Sequence, residues 1–193
     1  MTSPRIPPLP REEWTEHARD VFAYWEGEPA RASGSRSNTM TTLANHPALA
    51  IASLNLGKYF MVDSTLTARQ QKLIVLRVAH RCGSTYQWVH NSLGALRVGV
   101  TQEEVEAMKE DADSSVWGEE DRCLMIAIDG ACNGGRFDDA TWERVAAVFD
   151  RRQIMDVIHA SGYFAMVAWT LIALEVQVQP DFAAFSRSRA KQD

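Results

Sequence analysis

Strand-forming patterns are missing from this sequence: nowhere do β-branched residues alternate with polar ones in a period of two. That absence excludes a sheet protein and leaves helices to build the core. Cysteine is also scarce. Cys82, Cys123 and Cys132 show no regular spacing and no C-x-x-C, and the five histidines do not cluster with them. A disulfide framework and a zinc site are therefore not expected, and free thiols in a reducing cytoplasm are the simple reading. Positive charge is too thin for nucleic acid. The 20 Lys and Arg face 25 Asp and Glu, for a net charge of −5, and form no basic stripe that could displace counterions. Arg187, Arg189 and Lys191 read as a solvated tail. The opening MTSPRIPPLPREEW has no apolar run of the kind a secretory signal needs.

What is present is a chain of 193 residues, 46% hydrophobic and 23% charged, enough to bury a real core. Four prolines keep the first ten residues extended. Trp14, Ala18, Val21 and Trp25 then recur at helical spacing. Residues 26–38, rich in Gly, Ser, Pro and Arg, read as a loop that is disordered or serves as a lid. From Met40 onward every periodic segment is helical, with a break before Pro47. Thr67 is placed to cap one helix and Gly83 to turn the chain into the next, which ends at Gly99. Thr101 and Glu104 form a capping box, and Asp139 and Asp150 are read as caps of two later helices, the second with Gln153. Residues 157–176 approach membrane-spanning length but carry His159 and Ser161 between Asp156 and Glu175. They are read as a helix buried in a core or an oligomer interface, with His159 a satisfied core histidine. The expected organisation is an arm, first helix and loop over 1–38, a helical domain over 39–180, and a polar tail over 181–193.

The stretch STYQWVHN, residues 84–91, holds the most chemistry per turn. Residues three, four and seven apart share a helix face. Ser84, Gln87 and Asn91 therefore align, Tyr86 and His90 form a neighbouring stripe, and Lys72 on the preceding helix could meet Asn91 across the Gly83 turn.

Residues 40–180 resemble the carboxymuconolactone decarboxylase family, whose fold the alkylhydroperoxidase D proteins share. The resemblance rests on LTARQQKLIVLRVAHRCGSTYQWVHNSLGALRVGVTQEEV and on the later ATWERVAAVFDRRQIMDVIHASGYFAMVAWTLIALEVQV, in the family's order of helix, tyrosine-bearing turn, helix, Gly-x-Thr and acidic cap. It implies an all-α bundle of about eight helices assembled as a homotrimer or homohexamer. Members usually carry a glutamate at Lys72, Tyr-Glu-Trp at Tyr86-Gln87-Trp88 and a histidine at Asn91. The peroxidase branch places two cysteines at Ser84 and Gln87. This chain departs at each ionisable position.

Those departures restrict the chemistry. A thiol peroxidase of this type needs a reactive thiolate and a resolving thiol, which Ser84 and Gln87 cannot supply. Amides at 87 and 91 cannot exchange protons near neutrality, so a Glu/Glu/His acid–base set is gone. Lys72 turns a negative pocket neutral or positive and would favour an anionic substrate or a developing oxyanion. The reading is a cofactor-free enzyme of decarboxylase, lyase or isomerase type in specialised metabolism, acting on a small, oxygenated, anionic molecule. Lys72, His90 and Tyr86 are its candidate catalytic residues, and Ser84, Gln87 and Asn91 would line the substrate. The alternative is a non-catalytic ligand-binding or scaffold protein on the same fold. The substitutes are all polar (Lys, Ser, Gln and Asn), which favours a pocket still in use. Surface exposure of Lys72, core packing of Tyr86, packing of His80 and Cys82 near the turn, and a core or interface place for Trp88 are the bland readings.

Overall fold

Capping side chains and prolines set where the helices begin. A computed structural model describes residues 3–180; the tail with Arg187, Arg189 and Lys191 lies outside them. Among the described residues there are ten α-helices and no strand: α1 (Glu16–Glu26), α2 (Pro29–Ser33), α3 (Asn38–Leu43), α4 (Pro47–Val62), α5 (Ala68–Cys82), α6 (Thr85–Arg97), α7 (Gln102–Ala107), α8 (Glu119–Cys132), α9 (Asp139–Val148) and α10 (Arg151–Ala173). The all-α expectation holds.

Both capping boxes form. The Thr67 hydroxyl accepts from Gln70 N while the Gln70 side chain accepts from Thr67 N, and Thr101 and Glu104 repeat the exchange. Asp150 caps α10 by accepting from Arg152 N and Gln153 N, with Gln153 answering to Asp150 N. Three details differ from the sequence reading. The cap of α9 is Asp138, whose carboxylate accepts from Thr141 N at 2.7 Å, and Asp139 is the first helical residue. The polar stretch 26–38 contains α2, started by Pro29 in the first turn, where a missing N–H costs nothing. The first helix starts at Glu16, two residues after Trp14, with Thr15 as its cap.

The chain forms two units, one from residues up to 58 together with those from 170 on, the other from Tyr59 to Trp169. In the first, Val21, Phe22, Met40 and Leu54 make a small core, with Trp14 packed edge-on to Phe22 at 5.0 Å. The second holds the larger core, centred on Leu73, Ile74, Leu76, Leu124, Met125 and Ile128 of α5 and α8. Arg77 is inside this core, with 3% of its side chain exposed. Its guanidinium meets the Asp129 carboxylate through two bonds of 2.9 and 2.6 Å and donates to the carbonyls of Met108 and Glu110. Asp156, also buried, accepts from the Tyr59 hydroxyl, Thr65 N and the Thr65 hydroxyl, which ties the α4–α5 connection to α10.

Helix α10 is long and apolar enough to cross a membrane, yet one side of it packs in the core through Val157, Ala160, Ala165 and Ala168. The opposite side is open. Met155, Met166 and Trp169 are exposed there, and Ile172 is exposed at the helix end. His159 lies on this stripe, with Nδ1 2.8 Å from the Met155 carbonyl, so it is an exposed residue and not the core histidine expected.

Candidate functional site

The α5–α6 hairpin is fixed by its turn. Gly83 takes φ +70°, a left-handed conformation that a side chain disfavours. Its N–H bonds the His80 carbonyl and the next N–H, of Ser84, reaches back to Ala79. That pair of bonds is the Schellman arrangement, which closes α5 and aims the chain into α6. The geometry brings Lys72 and Asn91 together. The Lys72 ammonium donates to Asn91 Oδ1 at 2.9 Å, and Asn91 Nδ2 is held by the Gln87 carbonyl at 2.9 Å. Gln87 is buried in turn, its Nε2 donating to the Phe164 carbonyl of α10 at 3.0 Å.

Gly94, one turn beyond Asn91, completes the seat. A β-carbon there would come within 3.2 Å of both Cε and Nζ of Lys72. The absent side chain leaves the groove in which the lysine stem lies across α6. The sequence reading passed over Gly94; a glycine inside a helix, which costs about 1 kcal/mol relative to alanine, was the signal for it.

Among the described residues Lys72 has no carboxylate partner. Its only perturbation is burial, which pushes the ammonium's pKa below its ordinary value. Two oxygens nearby in sequence are also unpaired. Ser84 Oγ and Gln87 Oε1 are buried and have no hydrogen-bond partner among the described residues. Native structures rarely leave such groups bare, because desolvating one without compensation costs about 1–3 kcal/mol.

Tyr86 and His90 stack with ring centroids 4.3 Å apart and planes 15° from parallel. They form their own stripe, Tyr86 buried and His90 half-buried, separate from the Ser84–Gln87–Asn91 face. The structure thus forms one group from Lys72, Asn91, Gln87 and Gly94, and a second from Tyr86 and His90. Trp88 packs half-buried against the core, with the Lys109 ammonium 5.3 Å from its ring and exposed His80 edge-on to it. Near the turn His80 is exposed and touches the Trp88 ring, and Cys82 packs partly buried.

The model of the Carboxymuconolactone decarboxylase family matches residues 47–127, from the start of α4 into α8, and the family resemblance holds over that segment. Several solved structures share the fold. A complex of the debrominase Bmp8, in a cysteine-to-alanine variant, with 2,3,4-tribromopyrrole is 19% identical at a TM-score of 0.75, over 97% of this chain and 98% of that one. The alkylhydroperoxidase AhpD core of a peroxidase-related protein from Ralstonia eutropha is 14% identical at a TM-score of 0.78, over 94% and 95%. A peroxidase-related protein from a Silicibacter species is 16% identical at 0.76, over 94% and 97%. No curated protein matches the chain.

Proposed function

We propose, from an alkylhydroperoxidase D-like chain whose residues 47–127 match the Carboxymuconolactone decarboxylase family, a cofactor-independent enzyme acting on a small, oxygenated, anionic metabolite. Decarboxylase, lyase or isomerase chemistry suits it, since each passes through an enolate-like charge that a fixed cation can stabilise. A debrominase on the same fold supports an enzyme-like role.

One observation carries the reading: a partly desolvated ammonium, Lys72, seated on an amide and facing no carboxylate among the described residues. An ammonium stripped of water and left without a counter-charge gains most from an incoming anion. Lys72 binds the substrate's carboxylate or the developing charge, and Asn91 and Gly94 hold it in place. Ser84 and Gln87 offer their unpaired oxygens to substrate hydroxyls. His90, stacked on Tyr86, moves the proton. Such a protein works as a homotrimer or homohexamer, which would cover the exposed apolar residues of α4 and α10.

The test is calorimetric titration of a panel of small mono- and dicarboxylates into the wild-type protein and Lys72→Ala. Binding that disappears in the variant supports the site. Equal binding by both proteins, or none by the wild type, overturns it. Tight binding without turnover would make the chain a binding protein on the same fold.

A further inference from the structure

The α5 and α8 helices run parallel. Arg69 meets Asp121, Gln70 meets Glu120 and Arg77 meets Asp129, at sequence separations of 52, 50 and 52. Carried to the ends of the two helices, separations of 50 to 52 bring Cys82 near Cys132, and the two thiols influence each other. Each is the last residue of its helix, and both are free thiols. Both line one cavity of about 550 Å³, whose wall also includes His80, Arg81, Ser161 and Trp169. This cavity is distinct from the Lys72 seat, and none of its lining residues belongs to the site described above.

We propose that Cys82 and Cys132 are a redox-active thiol pair, closed into a disulfide by a low-molecular-weight disulfide that enters this cavity. The external reagent is of a class bearing carboxylates, which suits the half-exposed Arg81 guanidinium and the His80 ring on the wall. The third cysteine is no competitor. Cys123 precedes Cys132 by nine residues, about two and a half turns, which places it on the opposite face of α8. Its thiol is fully buried and directed at Glu119 and the Arg144 carbonyl.

Cys82 is the attacking sulfur. Burial raises its pKa, but the Arg81 charge and the Trp169 indole draw it back, whereas burial and then the nearby Cys82 and Asp129 push Cys132 up to about 11. In the first step the Cys82 thiolate attacks one sulfur of the external disulfide. That S–S bond breaks, and the departing thiolate takes a proton from water. Cys132 then loses its proton and attacks Cys82 Sγ, expelling the second thiol. The protein dithiol is oxidised and the external disulfide is reduced to two thiols.

Closure needs the two α-carbons within about 7 Å, a spacing that facing residues of packed helices reach with little movement, because the axes lie about 8–10 Å apart and each α-carbon stands about 2.3 Å off its axis. The helix ends can supply that movement. Gly83 follows Cys82, while Asn133, Gly134 and Gly135 follow Cys132, and none of these three glycines has a neighbour that a β-carbon would touch. The link would join the turn that leads into Ser84 to the end of α8. It would therefore act on the same hairpin that carries Lys72.

The experiment treats the full chain with oxidised glutathione, blocks remaining thiols with an alkylating agent, and maps the peptides by mass spectrometry. The wild type should show a Cys82–Cys132 disulfide, with Cys123 alkylated only after unfolding. Cys132→Ser should trap one glutathione on Cys82. Cys82→Ser should form neither the disulfide nor, at the same rate, an adduct on Cys132. Circular dichroism establishes that each variant keeps its helix content. Separate glutathione adducts on both cysteines of the wild type, disulfides only between molecules, or an untouched Cys82 in the folded Cys132→Ser protein would each overturn the proposal.

Discussion

The Lys72 ammonium sits 2.9 Å from the side-chain oxygen of Asn91, across a hairpin whose turn is locked by a single left-handed glycine. An amide oxygen can orient an ammonium without neutralising it. The lysine's position is fixed with its charge left uncompensated by that partner, and the proposed role of this charge makes definite demands on mutation.

Lys72→Ala should lower affinity or turnover for the anionic substrate by roughly one hundredfold, since a charge-assisted contact in a partly dry site is worth about 1.5–3 kcal/mol. Lys72→Glu should be at least as damaging, because it sets like charge against the anion. Titration or steady-state kinetics of both variants, with helix content and assembly state unchanged, checks this. A surface lysine would tolerate both changes within about 0.5 kcal/mol of stability.

Gly94→Ala separates packing from function. Alanine in a helix interior gains about 1 kcal/mol over glycine. The added methyl, however, stands 3.2 Å from the lysine's Cε and Nζ, at the flexible end of that side chain, so the ammonium yields and leaves Asn91. The variant should melt no lower than the wild type yet bind carboxylates more weakly. A variant that binds as tightly as the wild type would show that the groove at Gly94 does not position Lys72.

Burial of Lys72 also predicts a pH signature. Its pKa is lower folded than unfolded, so between those two values the unfolded chain binds more protons and stability rises with pH. Below the folded pKa both states are charged and the folded protein carries the full cost of the desolvated ammonium. Lys72→Met should therefore raise the melting temperature at neutral pH. The gain should shrink as pH climbs through the folded pKa towards the ordinary lysine range. Scanning calorimetry of the pair across that range checks both the sign and the convergence.

Much of the frame was legible because local chemistry decides it. Thr67 with Gln70, Thr101 with Glu104, and Gly83 each satisfy backbone groups within a few residues, so the sequence carries the whole interaction. Asp138 and Asp139 are both competent caps, and only the backbone angles at residue 138 choose between them. His159 was misplaced because a hydropathy run gives the depth of a helix and not its rotation; it shares an open stripe with Met155, Met166 and Trp169. The meeting of Lys72 with Asn91 followed from hairpin arithmetic. Gly94 beneath Lys72 and Cys132 beside Cys82 depend on tertiary packing, and no short-range pattern announces either.

Arg77 should be the most costly single truncation in the larger unit. Replacement by alanine leaves the Asp129 carboxylate, among the described residues, with only the more distant Arg81 as a cation, at 3.6 Å, and strips the Met108 and Glu110 carbonyls of their shared donor. Removing one member of a buried ion pair costs about 3–5 kcal/mol. Arg77→Lys should recover only part of that loss, since a point ammonium cannot reproduce the two-pronged contact and the carbonyl bonds together. Urea denaturation of the three proteins would measure it, and a loss under about 1 kcal/mol for Arg77→Ala would contradict the role assigned to this side chain.

Assembly is the last expectation, and α4 offers a direct handle on it. Leu49 and Leu56 are 56% and 43% exposed, seven residues apart on one face of a helix, with Ala52 open between them. Two turns of uncovered leucine on a rigid helix are a poor solvent-facing surface, and pairing with a second copy removes them from water at about 25 cal/mol per Å² of apolar area. Light scattering at micromolar concentration should give a mass that is three or six times the 21.6 kDa chain. A double variant, Leu49→Glu with Leu56→Glu, puts charges into that face and should shift the mass downward while helix content stays constant. A wild-type protein that runs as a stable monomer would remove the assembly, and an unchanged oligomer in the double variant would move the interface away from α4.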